Sequence, residues 1–440
     1  MQQNAGLFPL TYTRDEAGAV NVGGCSLTQL ADQWKTPLYL LDGITVRAHA
    51  ARLIELGKLC YPGKFTVAYA SKAYLSLKFA QKLSAMPLGI DTVSLGEMMI
   101  ARKAGIDGKR VHLHGNGKTE EELRYALDWG VDAIVVDSLE EMEYLASLAE
   151  EKSQRAAIWL RITPGVDVDT HAHVQTGQTG SKFGVSIHGG QAALVIKKAL
   201  RHPWLDLTGL HIHLGSQIFD PAPYQKAVRK LIQLSEECGF KPRQISTGGG
   251  WGVRYVGEQA DNDAETWIKA VSDTLSYECR QRDWEYPELV LEPGRWLIAR
   301  AGVALYKVTT SKFNGEGKYV IALDGGMADN PRPAMYSAVY TADLAARKMP
   351  DEKLDSMLVG KFCESGDILI HSIQMPEVKR GELIALPVAG AYQISMASNY
   401  NMASRPAVLW LEDDNAEVLQ YREDASMSDY WLGKTQETEN

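Results

Sequence analysis

Lys72 closes an apolar, strand-like run, Phe65–Ala73, which ends Ala70-Ser71-Lys72-Ala73. An amine at a strand end is either a solvated cap or, where partial burial lowers its pKa, a nucleophile able to condense with an aldehyde. His211 and His213 stand at i and i+2 and so share one face of a strand. They suit a metal pair, a ring stacked on a planar ligand, or a packed core imidazole beside a surface one. A second pair, His171 and His173, sits in a Thr/Gly-rich loop. In Ser246-Thr247-Gly248-Gly249-Gly250-Trp251-Gly252 the missing side chains let backbone N–H groups crowd around an anion. Leu291-Glu292-Pro293-Gly294-Arg295 offers a carboxylate that either pairs with Arg295 or holds a cationic ligand nitrogen. Cys363-Glu364-Ser365-Gly366-Asp367 and Gly390-Ala391-Tyr392 are polar-rich stretches unlike solvated turns, and the sequence does not show what Cys363 faces. One tempting pattern fails: before Gly117-Lys118-Thr119 a P-loop needs a Gly at position 112, where His112 stands, so nucleotide binding is rejected.

These residues need elements to position them. Eight short β-branched runs begin at Phe65, Pro87, Val111, Ala133, Ala156, Leu207, Gln244 and Leu289. Between them lie stretches such as Thr119–Asp128 and Leu139–Ala149, with helical spacing and acids in the first turn. Eight strand–helix repeats predict a (β/α)8 barrel, with a doubly wound open sheet as the runner-up. Lys72, Asp91, His114, Arg161, His213, Gly248–Gly250 and Glu292 all fall at the carboxyl ends of their runs, the face where barrel sites are built. At such a mouth Lys72 is placed to form a Schiff base with pyridoxal phosphate, and Glu292 to keep a pyridine nitrogen protonated. The glycine run follows the seventh strand, where barrels bind phosphate. His211 and His213 lie on the sixth strand, whereas H-x-H metal pairs of barrel hydrolases lie on the first. After Arg295 the texture changes to short runs (Val303–Thr309, Tyr319–Leu323, Asp367–Ile370, Glu382–Pro387, Ala407–Leu411) among Gly, Pro and charged turns. With Leu7–Tyr12 and Pro37–Leu41 these predict an antiparallel β domain built from both chain ends, 1–42 and 298–440, around a barrel at 43–297. The tail Lys434–Asn440 is expected to be disordered.

Composition narrows the classes. The 440 residues, 45% hydrophobic and 23% charged, fit a soluble two-domain protein. A formal charge of −9 argues against nucleic acid or an anionic membrane as partner. No export signal or membrane-spanning run is legible, and five scattered cysteines without a C-x-x-C pair fit reduced thiols in a cytoplasm.

In order along the chain, Ala68-Tyr69-Ala70-Ser71-Lys72-Ala73, His211-Ile212-His213-Leu214-Gly215-Ser216-Gln217, the triple Gly, Glu292-Pro293-Gly294-Arg295, Cys363-Glu364-Ser365-Gly366-Asp367 and Gly390-Ala391-Tyr392 resemble the fold-type III pyridoxal-phosphate decarboxylases. Ser181-Lys182-Phe183-Gly184, Asp324-Gly325-Gly326-Met327, Arg332-Pro333-Ala334-Met335-Tyr336 and Ser395-Met396-Ala397-Ser398-Asn399-Tyr400-Asn401 extend the likeness over nearly the whole chain. Tyr74 departs from it, where many members have Asn, which predicts altered packing rather than lost chemistry.

The resemblance implies decarboxylation of meso-2,6-diaminopimelate to L-lysine and CO2. It gives Lys72, His213 and Cys363 the catalytic roles of tether, ring stack and proton donor to the α-carbon. Asp91, Ser216, Gly248, Gly249, Gly250, Glu292, Gly294, Arg295 and Tyr392 would surround pyridoxal 5'-phosphate. Arg295, Arg332, Tyr336 and Tyr392 would meet the substrate, with Glu364 on its distal ammonium. Cys363 and Glu364 would enter from a second subunit, which implies a homodimer with composite sites. An Arg in place of Glu292 would favour racemisation, as in the alanine racemases that share the barrel. Losing a buried bidentate contact to the distal head group would cost about 2–5 kcal/mol, enough to reject a simple diamine precursor. The alternatives are decarboxylation of ornithine, lysine, arginine or carboxynorspermidine, a non-catalytic pyridoxal-phosphate carrier, and a metal hydrolase using His211 and His213.

Overall fold

The computed structural model describes residues 5–167, 177, 180–260 and 262–423; His171, His173 and the tail Lys434–Asn440 lie outside them. The chain divides into two compact units, one of Ala48–Val253 and Ala260–Leu297, the other of Met1–Arg47, Arg254–Gln259 and Ile298–Asn440.

The first unit is a closed barrel of eight parallel strands: β1 (Phe65–Ala70), β2 (Gly89–Thr92), β3 (Val111–Leu113), β4 (Ala133–Val136), β5 (Ala156–Thr163), β6 (Leu205–His211), β7 (Gln244–Ser246) and β8 (Glu288–Leu291). Each pairs with its neighbour in chain order, and β8 closes on β1 through Leu291 opposite Val67. The strands stand where the apolar runs predicted them. Ala68, Ala133, Val135, Trp159 and Val290 pack together as a buried cluster. Several loops deliver their helix through an oxygen-bearing cap. Ser76, Ser94 and Ser138 accept from the N–H three residues on, and Thr119 with Glu122 forms a reciprocal box. Such a cap satisfies a donor that the first turn leaves open. Lys118 is a strut rather than a phosphate ligand. Its buried Nζ donates to the Gly115 and Val135 carbonyls and to Glu141 at 2.6 Å.

Among the described residues the second unit holds a three-stranded sheet and a sheet of nine strands, the latter including Leu38–Asp42, Gly302–Phe313, Tyr319–Leu323, Leu354–Val359, Ile368–Met375, Leu383–Pro387 and Ala407–Glu412. The larger sheet is mixed, not purely antiparallel as expected. Leu38–Asp42 runs antiparallel to Gly302–Phe313 but parallel to Ala407–Glu412, and Tyr319–Leu323 runs parallel to Leu354–Val359. A strand supplied by the far chain end is not bound by hairpin geometry. The thirty residues between Leu323 and Leu354, including a short helix at Arg332–Tyr336, return the chain to its starting edge. Period-2 alternation puts Leu38, Leu40, Val303, Leu305, Leu409 and Leu411 in one core.

The expected strand Leu7–Tyr12 is absent. Ala5–Leu7 is a 3-10 turn, and Tyr12 N–H bonds back to the Pro9 carbonyl at 3.0 Å. Pro9 has no N–H for a ladder, and the buried residues of the run are the consecutive Leu7, Phe8 and Pro9 rather than alternate positions. Arg254–Gln259 groups with this unit because Tyr255 packs edge-on against Tyr340, with ring centroids 5.3 Å apart, beneath the Arg332 guanidinium. Among the described residues no helix is long and apolar enough to cross a membrane.

Candidate active site

β1 stops at Ala70, and Lys72 sits in a 3-10 turn, Ser71–Ala73. The Tyr69 hydroxyl donates to the Tyr74 carbonyl at 2.7 Å and accepts the Tyr74 N–H at 3.1 Å, so it staples the turn on both sides of Lys72. Tyr74 itself is buried, its ring packed on Phe79. Gly294 abuts the same turn. A Cβ there would lie 3.1 Å from Ala70 and 3.2 Å from Ala73. The Lys72 side chain is exposed, so the partial burial expected of it is not found.

Inside the mouth lies a buried cluster of charge. Glu292, at the end of β8, accepts from Ser246 Oγ at 2.5 Å and meets His211 Nε2 at 3.1 Å. Burial, then the charge of Asp91, push its carboxyl above the usual range. Asp91, on β2, goes the other way. Burial would raise it, but the neighbouring His114 and His112 overcome that and hold it well below its ordinary value. His112 is buried too, yet the hydrogen bonds it donates to Asp132 and Asp91 outweigh the burial and raise it to about 10. The Asp91 contact is 3.0 Å and the Asp132 contact 3.4 Å. His211 and His213 are pushed far down, first by burial and then by nearby cations, Lys72 being the main one for His213. Both are neutral imidazoles at pH 7. Two triads bring ligand atoms within 4.8 Å, Asp91–His112–His114 and His114–His211–Glu292, so among the described residues the His211–His213 pair does not form a three-ligand group.

The glycine run is locked against its neighbours. A Cβ on Gly248 would strike Ile212 O and His213 Nδ1 at 2.7 Å, one on Gly249 would strike Glu292 O at 2.1 Å, and one on Gly250 would strike Gly215 O at 2.1 Å. Gly248 and Gly250 also hold φ of +70° and +99°, which other residues adopt only with strain. Arg295 donates to Ser216 at 3.2 Å beside this run, which leaves Glu292 with Ser246 and His211 as hydrogen-bond partners rather than the Arg295 pair. The barrel therefore brings together Lys72, Asp91, His213, Ser216, Gly248–Gly250, Glu292, Gly294 and Arg295.

The remaining candidates belong to the second unit. Arg332 and Tyr336 share one short helix, with the buried Arg332 bonded to the Tyr340 hydroxyl and lying 4.7 Å over the Tyr255 ring. Cys363 and Glu364 are exposed on a turn, and Tyr392 takes a φ of +61°. The clamp of His112 by Asp91 and Asp132 was missed by sequence reasoning. Its signal was present: Val111-His112-Leu113-His114 repeats the H-x-H alternation seen at 211 and 213.

Residues 47–299 match the family described as "Pyridoxal-dependent decarboxylase, pyridoxal binding domain". A diaminopimelate decarboxylase of Actinosynnema pretiosum is 41% identical over 95% of this chain and 93% of its own. One from Bacillus subtilis is 38% identical over 94% of this chain and 95% of its own. The crystal structure of diaminopimelate decarboxylase from M. jannaschii in complex with L-lysine superposes with a TM-score of 0.89 at 31% identity, covering 97% of each chain.

Proposed function

The chain belongs to the pyridoxal-dependent decarboxylases, and from that premise we propose that it converts meso-2,6-diaminopimelate to L-lysine and CO2 with pyridoxal 5'-phosphate in the barrel mouth. The residues present fit that cofactor. A buried carboxylate with a raised pKa needs a cationic or donating partner, the glycine run has no side chains to keep an anion from its backbone, and the exposed Lys72 is available to an aldehyde. Asp91 Oδ2 and His211 Nδ1 are also buried without a hydrogen-bond partner. Bound there, pyridoxal phosphate supplies an electron sink for the charge left when CO2 departs.

The chain's own residues do the rest. Lys72 Nζ is the tether. His213, kept neutral by its surroundings, gives a flat uncharged face on which an aromatic ring stacks. Glu292, oriented by Ser246 and His211, would hold the cofactor's ring nitrogen protonated, and Asp91 with its imidazoles would support that end. Ser216, Gly248–Gly250 and Tyr392 would bind the phosphate. Arg295, Arg332 and Tyr336 take the distal carboxylate and Glu364 the distal ammonium, which reads a second amino-acid head group by opposite charges. Cys363 Sγ delivers the proton to the α-carbon after decarboxylation. Cys363 and Glu364 serve a partner's barrel in a homodimer of the cytoplasm.

The observation that carries this reading is the buried, hydrogen-bonded Glu292 in the same barrel mouth as Lys72. Purified protein with pyridoxal phosphate is offered meso-diaminopimelate, ornithine, lysine, arginine and carboxynorspermidine separately, and CO2 is measured. Release from diaminopimelate alone is expected. Release from ornithine, with none from diaminopimelate, overturns the substrate.

A further inference from the structure

The geometry points to Asp367 as a positioning residue that locks the Cys363–Glu364 turn to the segment leading into Arg332, and so sets how the distal head of the substrate is read. The inference rests on the roles proposed above for Arg332, Cys363 and Glu364.

One Asp367 oxygen accepts the Met327 N–H at 2.7 Å and the other accepts the Phe362 N–H at 2.8 Å. The first donor lies five residues before Arg332, the second one residue before Cys363. The main chain reinforces the tie. Asp367 N–H closes the turn on the Glu364 carbonyl at 3.0 Å, Gly360 N–H reaches the Asp367 carbonyl at 2.9 Å, and Lys361 N–H reaches Gly325 at 3.2 Å. Asp367 is only 3% exposed, although Cys363 to Gly366 are all exposed. The niche is cut to its carboxylate: a Cβ on Gly326 would lie 2.4 Å from one oxygen, and one on Gly360 2.1 Å from the other. Next to Met327, the Gly326 N–H is held at 2.8 Å by Asp329, which begins the run Asp329-Asn330-Pro331 into Arg332. Two acids thus fix two consecutive N–H groups, and one of them reaches across to the catalytic turn.

A buried acid that spends both oxygens on backbone N–H groups of two separate segments acts as a clamp. An exposed turn would otherwise sample many conformations, and holding Glu364 and Cys363 in one of them removes that cost when substrate arrives. Asp367→Asn keeps the shape but presents an NH2 to one of the two N–H donors, so one bond is lost and a repulsion gained.

The test uses the pyridoxal-phosphate-loaded protein and Asp367→Asn, with Asp367→Ala as the harsher variant. Asp367→Asn is expected to keep the cofactor's visible absorption and to melt within a few degrees of wild type. Its kcat/KM for diaminopimelate is expected to fall about 10²-fold, with KM raised as well as kcat lowered. Amide exchange at Met327 and Phe362 is expected to quicken, with barrel peptides unchanged. A kcat/KM within twofold of wild type, or a loss matched by equal loss of folded, loaded protein at unaltered KM, overturns the clamp. So does unchanged exchange at those two amides, a readout that holds whichever substrate the wild type accepts. Should wild type act only on another amino acid, the substrate reading falls while the exchange result still decides the clamp.

Discussion

Two buried carboxylates, one in each unit, meet opposite fates. In the barrel, Asp91 is surrounded by imidazoles and stays ionised, clamping a cationic His112 against Asp132. In the β unit, Asp329 accepts from Tyr39 at 2.9 Å and Tyr306 at 2.5 Å, Arg422 feels its charge without pairing with it among the described residues, and burial raises its carboxyl to about 6. Phenols stabilise a carboxylate less than cations do, so they do not overcome desolvation. The barrel has spent its buried charge on a site that must hold an ionised ligand. The β unit uses its acid to join strands. Burial alone does not mark a functional acid; the charge of its partners does.

The largest effect that would break this contrast comes from the barrel mouth. Lys72→Ala should abolish both the visible absorption of the loaded protein and CO2 release, a loss of at least about 10³-fold, read by spectrum and turnover. A coloured, active variant would refute the cofactor site. Glu292→Gln should still bind cofactor but lose about 10²–10³ in kcat, because a neutral amide cannot keep the ring nitrogen protonated. Near-normal kcat would mean that Glu292 is only a buried structural acid.

Stability against pH sharpens the comparison further. His112 has a folded pKa raised to about 10, so its contribution is fully present below about 6.5 and lost as pH climbs toward 10. His112→Gln should therefore cost about 3 kcal/mol in denaturant unfolding at pH 6, and the gap to wild type should close by pH 10. A gap that ignores pH would show that the ring acts by packing alone. A comparable effect is expected at Asp329. Its folded carboxyl, raised to about 6 from 3.8, keeps its proton where the unfolded chain has released it. Wild type should thus lose up to about 3 kcal/mol as pH rises from about 4 past 6, a slope that Asp329→Asn should flatten, so that the two are close at pH 4 and the variant is the more stable above pH 6.5.

All eight barrel strands were legible because each is an apolar run bounded by turns, and the parallel order follows from helices between them. Their carboxyl-end polar residues were legible for the same reason. Strand ends were less so: Phe65–Ala73 stops at Ala70, since the Tyr69 hydroxyl folds the chain into a turn that periodicity does not encode. Contacts between distant segments were beyond reach. Tyr39, Tyr306 and Asp329 come together over separations of 267 and 290 residues. Parallel pairing of Leu38–Asp42 with Ala407–Glu412 likewise depends on where the chain ends meet. Pro9 shows the converse, an apolar run whose buried side chains need no strand.

The most direct measurement fixes the cofactor in place with borohydride and maps the modified peptide by mass spectrometry. The account predicts a single pyridoxyl group, on Lys72 Nζ, in the peptide carrying Tyr69-Ala70-Ser71-Lys72. A pyridoxyl group on another lysine, or none at all in protein that still releases CO2 from diaminopimelate, would contradict it.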